Sequence, residues 1–457
     1  MPTRIEHDTL GEVEVPRDAP WGAQTQRALE NGIPVGRLPW SLIAALLRIK
    51  GASARVNAEL GLLAPEVAEA VARAADEMLR DRREDAFPLS PFQTGSGTST
   101  NMNANEVLAR RAAELLGGRP VHPNDHVNRC QSSNDVFPTA VHLAALEEIH
   151  RGLLPAAAEL RRALAAKARS FRDVVKLGRT HLMDALPVTL GQEFSGYARM
   201  VARGEGEIRT AARGLLEVPL GGTAVGTGVN AHPGFAPRVL ERLAAETGHR
   251  LRRARNPFEA QGARGACVAA SAALRGLAVG LSKIANDLRW MASGPRGGLG
   301  EIRLPELQPG SSIMPGKVNP VVPEAVTQAA AQVVGNDLVV AQGGMGGVLE
   351  LNLMMPLIAR NLLESVALLA GACRVLARRC VAGLEANRAR CRELAAASPS
   401  LVTPLAERVG YEAAARVAHE ALRRGIPIAR AAAEMGLGDE AELERLLDPK
   451  RLVRPRT

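Results

Sequence analysis

The sequence predicts a mainly α-helical protein built around a bundle of long helices. Apolar residues recur at three- and four-residue spacing over much of the 457-residue chain, and strand patterns are weak and lie near its ends. Long helices with one narrow apolar seam must bury that seam against one another. A helical bundle is therefore the expected architecture.

The predicted elements follow in chain order. Residues 4–16, RIEHDTLGEVEVP, carry a weak strand pattern. A helical seam follows Pro138, and a local bend is expected at Pro155 because proline lacks the N–H group that a helix interior needs. The apolar members of this seam are Leu146, Ile149, Leu153, Ala157, Leu160 and Leu164.

The most regular helical pattern begins at Ser271 and stops at Ser293-Gly294-Pro295. Its apolar members are Leu274, Leu277, Leu281, Ile284, Leu288 and Met291. Other helical patterns cover residues 193–215, 323–340 and 356–384. Turn-rich segments near residues 131 and 390 predict three domains: an N-terminal domain 1–131, a central helical bundle 132–390 and a small C-terminal domain 391–457.

Composition indicates a globular protein, with 46% hydrophobic and 23% charged residues. The N-terminus lacks the apolar run of a signal peptide, and no window reaches about 18 uninterrupted apolar residues, so a cytoplasmic location is expected. Five cysteines without a C-x-x-C motif favour reduced structural thiols. The net charge of +9 is spread over helical segments, and with only 3% aromatic residues nucleic-acid binding is disfavoured. Positive potential would instead help to gather small dianions.

Four segments concentrate small hydroxyl and amide side chains beside glycine. They are QTGSGTSTNMNANE (93–106), NRCQSSNDVFPT (128–139), GRTHLMDALPVTLGQE (178–193) and PGSSIMPGKVNPVVPE (309–324). Each alone can be explained by helix caps and turns. Together they offer hydrogen-bond donors and one ammonium group, which is what a small polyanion requires.

Three other chemistries fit these segments poorly. Five residues separate Gly310 from Gly316, and Val318 follows Lys317, so the last segment is not a phosphate-binding P-loop. The run GSGTST has Thr100 where a dinucleotide fingerprint needs glycine. Two histidines in HPNDH, without further ligands, do not make a metal site. Acid–base chemistry without metal or cofactor remains, in which pre-positioned donors stabilise the charge that develops on the substrate.

The four segments resemble the fumarase/aspartase superfamily, and GSSIMPGKVNP (310–320) is very similar to its signature loop. The likeness runs from RIEHDTLGEVEVP to LVTPLAERVGYEAAARVA. Within the superfamily, WGAQTQR, QTGSGTSTNMN, VHPNDHVNRCQSSNDVFPTA and GRTHLMDALPVTLGQEFSGYA are most similar to class II fumarases (fumarate hydratases). The resemblance implies a three-domain fold and a homotetramer with a twenty-helix core, each active site being shared by three subunits.

The resemblance also implies a reaction: reversible anti addition of water to fumarate giving (S)-malate, a step of the tricarboxylic acid cycle, through C3 proton abstraction and an aci-carboxylate, with no cofactor. Ser311 matches the proposed general base, which Lys317 supports. His181 matches the histidine that handles water at C2, with Glu324 as its carboxylate. The matching substrate-binding positions are Ser96, Thr98, Asn101, Ser132, Ser133, Asn134, Thr180 and Asn319.

A second, peripheral dicarboxylate site of the family matches Arg119, His122, Asn124 and Asp125. His126 departs from many fumarases, which have an acidic residue there. The expected partners are fumarate, malate and further copies of the chain, with no metal, nucleic acid or membrane. The nearest alternative is aspartate ammonia-lyase, which shares the C3 proton abstraction. A non-enzymatic scaffold of the lens-crystallin kind is the other, and retention of Ser311, Lys317, Asn319, His181 and Glu324 argues against it.

Overall fold

The computed structural model describes residues 2–455, which form a mainly helical protein, as the sequence predicts. The first residue and the last two residues of the expected domains lie outside this range. The α-helices of the described residues are α1 Ala23–Asn31, α2 Trp40–Glu59, α3 Pro65–Arg80, α4 Thr98–Leu115, α5 Ser133–Glu147, α6 Leu154–Ser170, α7 Leu190–Ala212, α8 Phe235–Thr247, α9 Pro257–Gly262, α10 Gly265–Met291, α11 Val321–Gly344, α12 Met355–Val375, α13 Arg388–Ala397, α14 Thr403–Val409, α15 Tyr411–Arg424, α16 Ile428–Glu434 and α17 Glu440–Leu446.

Strands occur only as short two-stranded pairs in the part of the chain that the structure describes. They are β1 Thr3–Asp8 with β2 Gly11–Pro16, β3 Val175–Thr180 with β4 Met183–Thr189, β5 Glu217–Val218 with β6 Arg252–Arg253, β7 Ile302–Arg303 with β10 Glu385–Ala386, and β8 Gly347–Val348 with β9 Leu351–Asn352. The β5–β6 pair is parallel and the others are antiparallel. The N-terminal hairpin confirms the strand pattern of residues 4–16. The hairpin of β3 and β4 was not predicted.

The long helices confirm the predicted seams, but α10 begins at Gly265, six residues before the predicted start, and α12 ends at Val375, nine residues before the predicted end at 384. All six apolar residues predicted for the seam of α10 are buried, and the helix ends at Met291, before Gly294. Between α5 and α6 the backbone forms a π-helical turn, Glu148–Leu153. It ends two residues before Pro155, which has no N–H group for the regular helical ladder, so the irregularity expected at this proline is present.

Contacts divide the chain into two compact units. The first unit contains the described residues up to 155 together with 204–278 and 329–370. The second contains 156–203, 279–328 and the described residues from 371 onward. The predicted domain boundaries at 131 and 390 stay a prediction.

The core of the first unit is centred on α2, which packs against α3, α5 and α8. Leu42, Leu46 and Ile49 of α2 are fully buried, and so is the charged Lys50. In the second unit, α15, α16 and α17 form a small core around Val417. The five cysteines are buried and free, as expected of structural thiols.

Two stretches are long and apolar enough to cross a membrane by length and composition, Gly265–Met291 and Met355–Val381. About two thirds of the most apolar window in Met355–Val381 is buried within the protein. Core helices of globular proteins have the same composition, so this feature is weak evidence for a membrane span.

Candidate active site

Hydroxyl groups of the polar segments 93–106 and 128–139 lie at the N-termini of two helices. α4 begins at Thr98 and α5 begins at Ser133, and the hydroxyl oxygens of these residues are hydrogen bonded at 2.7 Å. The Ser96 hydroxyl is hydrogen bonded to that of Thr98, also at 2.7 Å. Unpaired N–H groups give the first turn of an α-helix a partial positive charge. Two such ends and three hydroxyls therefore meet in the first unit, where they can bind an anion.

Glycines permit this close approach. Gly97 has a φ of +75°, and a Cβ atom there would lie 2.5 Å from the ring of Phe137 in α5. A Cβ atom on Gly95 would lie 1.7 Å from the carbonyl oxygen of Leu353. A larger residue at position 97 would push the start of α4 away from α5, and one at position 95 would push the preceding loop away from Leu353.

The residues around the start of α5 are held by a capping box. The Ser132 hydroxyl accepts a hydrogen bond from Asn134 N at 3.2 Å, and Ser132 N donates to Asp135 Oδ1 at 3.0 Å. The side-chain amide of Asn134 donates to the carbonyl oxygen of Ala224 at 2.9 Å. Ser132, Ser133 and Asn134 are partly exposed, whereas Asp135 is fully buried. The turn therefore presents polar side chains above an interior carboxylate.

Asn101 lies below this surface rather than in it. Its side chain is buried, and its amide nitrogen donates to Asn128 Oδ1 at 3.2 Å. The same oxygen accepts from Lys50 Nζ at 2.8 Å. Asn101 is thus grouped with an interior network, and its predicted contact with substrate stays a prediction.

In the second unit, the predicted signature loop is closed at its neck. Gly310 N donates to the carbonyl oxygen of Lys317 at 2.7 Å, and Asn319 Nδ2 donates to the carbonyl oxygen of Gly310 at 2.7 Å. A Cβ atom on Gly310 would lie 2.7 Å from Asn319 N. Gly316 has a φ of +80°. The two glycines therefore allow a tight loop whose tip is exposed.

Ser311 is the predicted base within this loop. Its Oγ accepts hydrogen bonds from the backbone N–H groups of Ile313 at 3.2 Å and of Met314 at 3.0 Å. Hydrogen bonds to the ionised form of a group favour that form. The loop therefore provides a local environment that stabilises a serine alkoxide.

Three other predicted residues line one cavity of about 1070 Å³ in the second unit: Lys317, Asn319 and Glu324. Arg289 and Arg303 also line it. Glu324 lies in the first turn of α11, where its negative charge complements the helix dipole. A cationic side chain, an amide and a carboxylate thus line the same cavity.

Thr180 and His181 lie at the tip of the β3–β4 hairpin. Thr180 pairs with Met183, and the two residues of the turn, His181 and Leu182, both have positive φ, 57° and 62°. Such turns usually contain glycine or asparagine, so this one is strained. The imidazole is exposed at the tip. Among the described residues, no hydrogen bond or ion pair joins His181 to Glu324, and their predicted cooperation stays a prediction.

A buried ion network anchors this hairpin. Arg179 donates from one guanidinium nitrogen to both carboxylate oxygens of Glu301 at 3.0 Å. Lys176 Nζ lies 3.4 Å from Glu301 and 3.3 Å from Glu193. Burial raises the pKa of the Glu193 carboxyl, and the Lys176 charge opposes that rise. The network fixes the strand that leads to Thr180 and His181.

The residues predicted for a second dicarboxylate site lie on and before an exposed π-helical turn in the first unit, Pro123–Val127. His122 Nδ1 accepts from Asp125 N at 3.1 Å, and Arg119 donates to Glu66 at 3.0 Å. Asn124 is exposed. The Arg119 guanidinium is therefore already paired with a carboxylate, which an anion would have to displace.

Four residues that organise these groups are not among the predicted ones. Lys50 ends the largely apolar run LIAALLRIK, in which Arg48 is the other charged residue, and a second charge in such a run is a signal that could have been noticed. Asp135 stands three residues after Ser132, at the capping-box spacing. Arg179 and Glu301 are 122 residues apart, and no local pattern links them. Within residues 2–455, no three His, Cys, Asp or Glu side chains are grouped as metal ligands.

The chain is similar in sequence and in structure to known proteins of one family. A lyase family model matches residues 11–335, and a model of the fumarase C C-terminus matches residues 401–454. The chain is 57% identical over 446 residues to the class II fumarate hydratase of Mycobacterium tuberculosis H37Rv, covering 97% of this chain and 94% of that one. It is 52% identical to the class II fumarate hydratase of Bordetella parapertussis, covering 98% of each. A crystal structure of class II fumarase from Schistosoma mansoni superposes with a TM-score of 0.96 at 35% identity, covering 100% of both chains.

Proposed function

Because the chain belongs to the lyase family, among its class II fumarate hydratases, we propose a reaction scheme for its own residues. The protein is a cofactor-independent hydro-lyase that adds water to fumarate to give (S)-malate and catalyses the reverse reaction. Its substrate is a four-carbon dicarboxylate. We propose the roles of individual residues, the assembly and the location in the cell.

The substrate carboxylates are bound by the hydroxyl cluster at the starts of α4 and α5. This arrangement carries the proposal, because Thr98 and Ser133 are joined at 2.7 Å where two helix N-termini meet. Asn134 adds an amide, and Ser132 adds a second hydroxyl at the same turn. Helix dipoles and neutral donors stabilise a dianion without placing a competing carboxylate beside it.

Ser311 acts as the general base in the dehydration direction. Its alkoxide takes the C3 proton of malate, and the electron pair of that C–H bond moves into the neighbouring carboxylate to give the aci-carboxylate. The backbone N–H groups of Ile313 and Met314 support the alkoxide, since each donates to Oγ. Lys317 and Asn319 stabilise the added negative charge of the intermediate.

The second step breaks the C2–O bond. His181 donates a proton to the departing hydroxyl group, so that water leaves, and the C3 electron pair forms the double bond of fumarate. Glu324 orients and charges the imidazole. In hydration each step is reversed: His181 takes a proton from water and Ser311 returns its proton to C3.

A homotetramer with active sites shared by three subunits is the proposed assembly. Its support is the apolar surface of the long helices, which exposes large side chains at Val279 and Trp290 of α10 and at Val334 and Leu338 of α11. Such side chains favour burial against further helices of the same kind. We also propose a cytoplasmic location, a place in the tricarboxylic acid cycle, and binding of a second dicarboxylate by Arg119, His122, Asn124 and Asp125.

One spectrophotometric experiment tests the function. Purified protein with fumarate should lose the ultraviolet absorbance of the double bond while malate accumulates, and malate should show the reverse change. Aspartate in a parallel assay should release no ammonia. Unchanged absorbance with fumarate and with malate would contradict the hydratase activity, and ammonia release from aspartate would favour the ammonia-lyase alternative.

A further inference from the structure

Lys50 is a fully buried cation in the middle of α2. Its ammonium donates to an amide oxygen, Asn128 Oδ1, at 2.8 Å. Burial lowers the pKa of Lys50 to about 7, and the charge of Asp135 opposes that fall. A charge in the interior destabilises a fold unless it is compensated. Apolar packing alone therefore does not explain a lysine at this position.

Asn128 connects this cation to the chain that precedes Ser132. Its Oδ1 also accepts from the side-chain amides of Asn101 and Asn105, each at 3.2 Å. Three donors on one oxygen fix which way the Asn128 amide points. Its Nδ2 then donates to the carbonyl oxygen of Gln131 at 3.1 Å. Lys50 thus acts through one amide on the backbone immediately before the substrate-binding turn.

Asp135 holds the other side of the same turn. Its Oδ1 accepts from Ser132 N at 3.0 Å, and its Oδ2 accepts from Gly221 N at 2.9 Å and Thr223 N at 3.0 Å. The carboxylate therefore joins the turn to the segment that contains Ala224, whose carbonyl oxygen receives the Asn134 amide. Burial raises the pKa of Asp135 to about 6, against the effect of its three backbone donors and of Lys50.

We propose that Lys50 and Asp135 are positioning residues for substrate binding. They are two buried, opposite charges that fix residues 131–134 from both sides, so that Ser132, Ser133 and Asn134 are already placed for a substrate carboxylate. This inference rests on the proposed function of that turn. Neither charged group touches the substrate, and both act through hydrogen bonds to Asn128 or to the backbone. A pre-formed site avoids the free-energy cost of ordering these side chains when substrate binds.

The test replaces each charge by an uncharged side chain of similar shape, Lys50→Met and Asp135→Asn. Both variants should raise KM for fumarate by about tenfold and change kcat by less than about twofold, because the lost interaction supports substrate and transition state equally. The inhibition constant of succinate, a dicarboxylate that cannot react, should rise by the same factor. The thermal midpoint of Lys50→Met should fall, because the buried Asp135 carboxylate loses the nearby opposite charge, so KM is measured well below the midpoints of all variants.

Ser53→Ala is the matched control. Ser53 lies in α2, is fully buried, and its hydroxyl has no hydrogen-bond partner among the described residues. Its KM and its succinate inhibition constant should remain at the wild-type values. Wild-type turnover of fumarate is measured first, so that failure of the proposed function is recognised separately.

Three outcomes would overturn the inference. They are an unchanged KM in both charge variants, an equal rise of KM in Ser53→Ala, and a rise of KM that disappears when the assay temperature is far below the thermal midpoint of the variant. If Lys50→Met fails to fold, Asp135→Asn decides. The amide oxygen of the asparagine can still accept a hydrogen bond from Gly221 N. Its amide nitrogen then faces Ser132 N and cannot accept, so that contact with the turn is lost.

Discussion

The Ser311 hydroxyl has two backbone N–H groups directed at its oxygen, and this environment favours an alkoxide. An isolated serine is a poor base because its hydroxyl ionises far above neutral pH. The loop compensates with N–H donors that lie within its own backbone. Both donors belong to residues two and three positions after Ser311 in the same loop. The Ser311 oxygen and the N–H groups that stabilise its alkoxide therefore move together.

Replacing Ser311 by Ala should lower kcat by about 10²- to 10⁴-fold, the usual contribution of a positioned base. The thermal midpoint should change little, since the loop tip is exposed. Steady-state kinetics with malate and a thermal melt measure the two quantities. Ser312→Ala is the matched control, because Ser312 is the exposed neighbour with the same side chain. Near-normal turnover of Ser311→Ala would remove Ser311 from the role of base.

At the level of secondary structure, the starts of α4 and α5 can meet only because residue 97 has no side chain. Its φ of +75° is unfavourable for other residues, and the Phe137 ring occupies the space of a Cβ atom. Gly117 has a similar φ of +66°, but a Cβ atom there would have no neighbouring atom within 4 Å. Alanine substitutions at the two glycines therefore distinguish the effect of backbone conformation from the effect of a steric clash.

Gly97→Ala should lower the free energy of unfolding by about 2–5 kcal/mol, the sum of the left-handed backbone penalty and of overpacking against Phe137. Gly117→Ala should lower it by only about 1–2 kcal/mol, because the backbone penalty acts alone. Urea titrations give both values, and the KM for fumarate should rise in Gly97→Ala alone. Equal losses of stability in the two variants would show that the ring adapts to the added methyl group.

The hairpin of β3 and β4 depends on charges that come from distant parts of the chain. Glu301 is fully buried, and both of its oxygens accept from Arg179. Neutralising this carboxylate leaves Arg179 and Lys176 without a full counter-charge in the interior. Breaking one partner of such a pair removes more stability than breaking a surface pair, because the remaining charge stays buried.

Glu301→Gln should therefore lower the free energy of unfolding by about 3–5 kcal/mol. In the control Glu393→Gln, the broken pair with Arg390 is at the surface, with 65% of the Glu393 side chain exposed. The free energy of unfolding of this control should fall by less than about 1 kcal/mol. Chemical denaturation of both variants makes the comparison. A Glu301→Gln protein as stable as Glu393→Gln would mean that the network does not hold the hairpin.

Sequence periodicity predicted the long helices because each has one buried apolar seam. In α10, the three- and four-residue spacing of the apolar residues from Leu274 to Met291 is enough to predict the helix. The β3–β4 hairpin escaped prediction for a physical reason. Its turn uses His181 and Leu182 with positive φ instead of glycine, and Gly178 and Pro187 lie inside its strands. The predicted polar segments contain the residues of the candidate site. Lys50 and Glu301 could not be assigned a role, because their contacts join segments far apart in the sequence.

At the level of the whole molecule, α10 and α11 leave large apolar side chains exposed, among them Trp290 and Leu338. In the proposed tetramer these faces are covered by the same helices of other subunits, and residues of one active site come from different chains. This arrangement has a consequence for mixtures of defective subunits. Two variants that are each inactive can share a tetramer in which some sites receive only intact residues.

Thr98→Val and Ser311→Ala are suited to this experiment, since one removes a hydroxyl at the start of α4 and the other removes the base. Neither homotetramer should show more than a small residual rate. If the two residues of each site come from different chains, a random one-to-one hybrid should recover roughly a quarter of the wild-type kcat per site, because each residue is intact in half of the chains. Unfolding the two variants together and refolding them by dilution prepares the hybrid. The control is a mixture of the two proteins refolded separately, which should stay inactive. If hybrids stay at the residual rate while light scattering shows intact tetramers, Thr98 and Ser311 of each site come from the same chain, and the proposed sharing of sites between subunits would have to be revised.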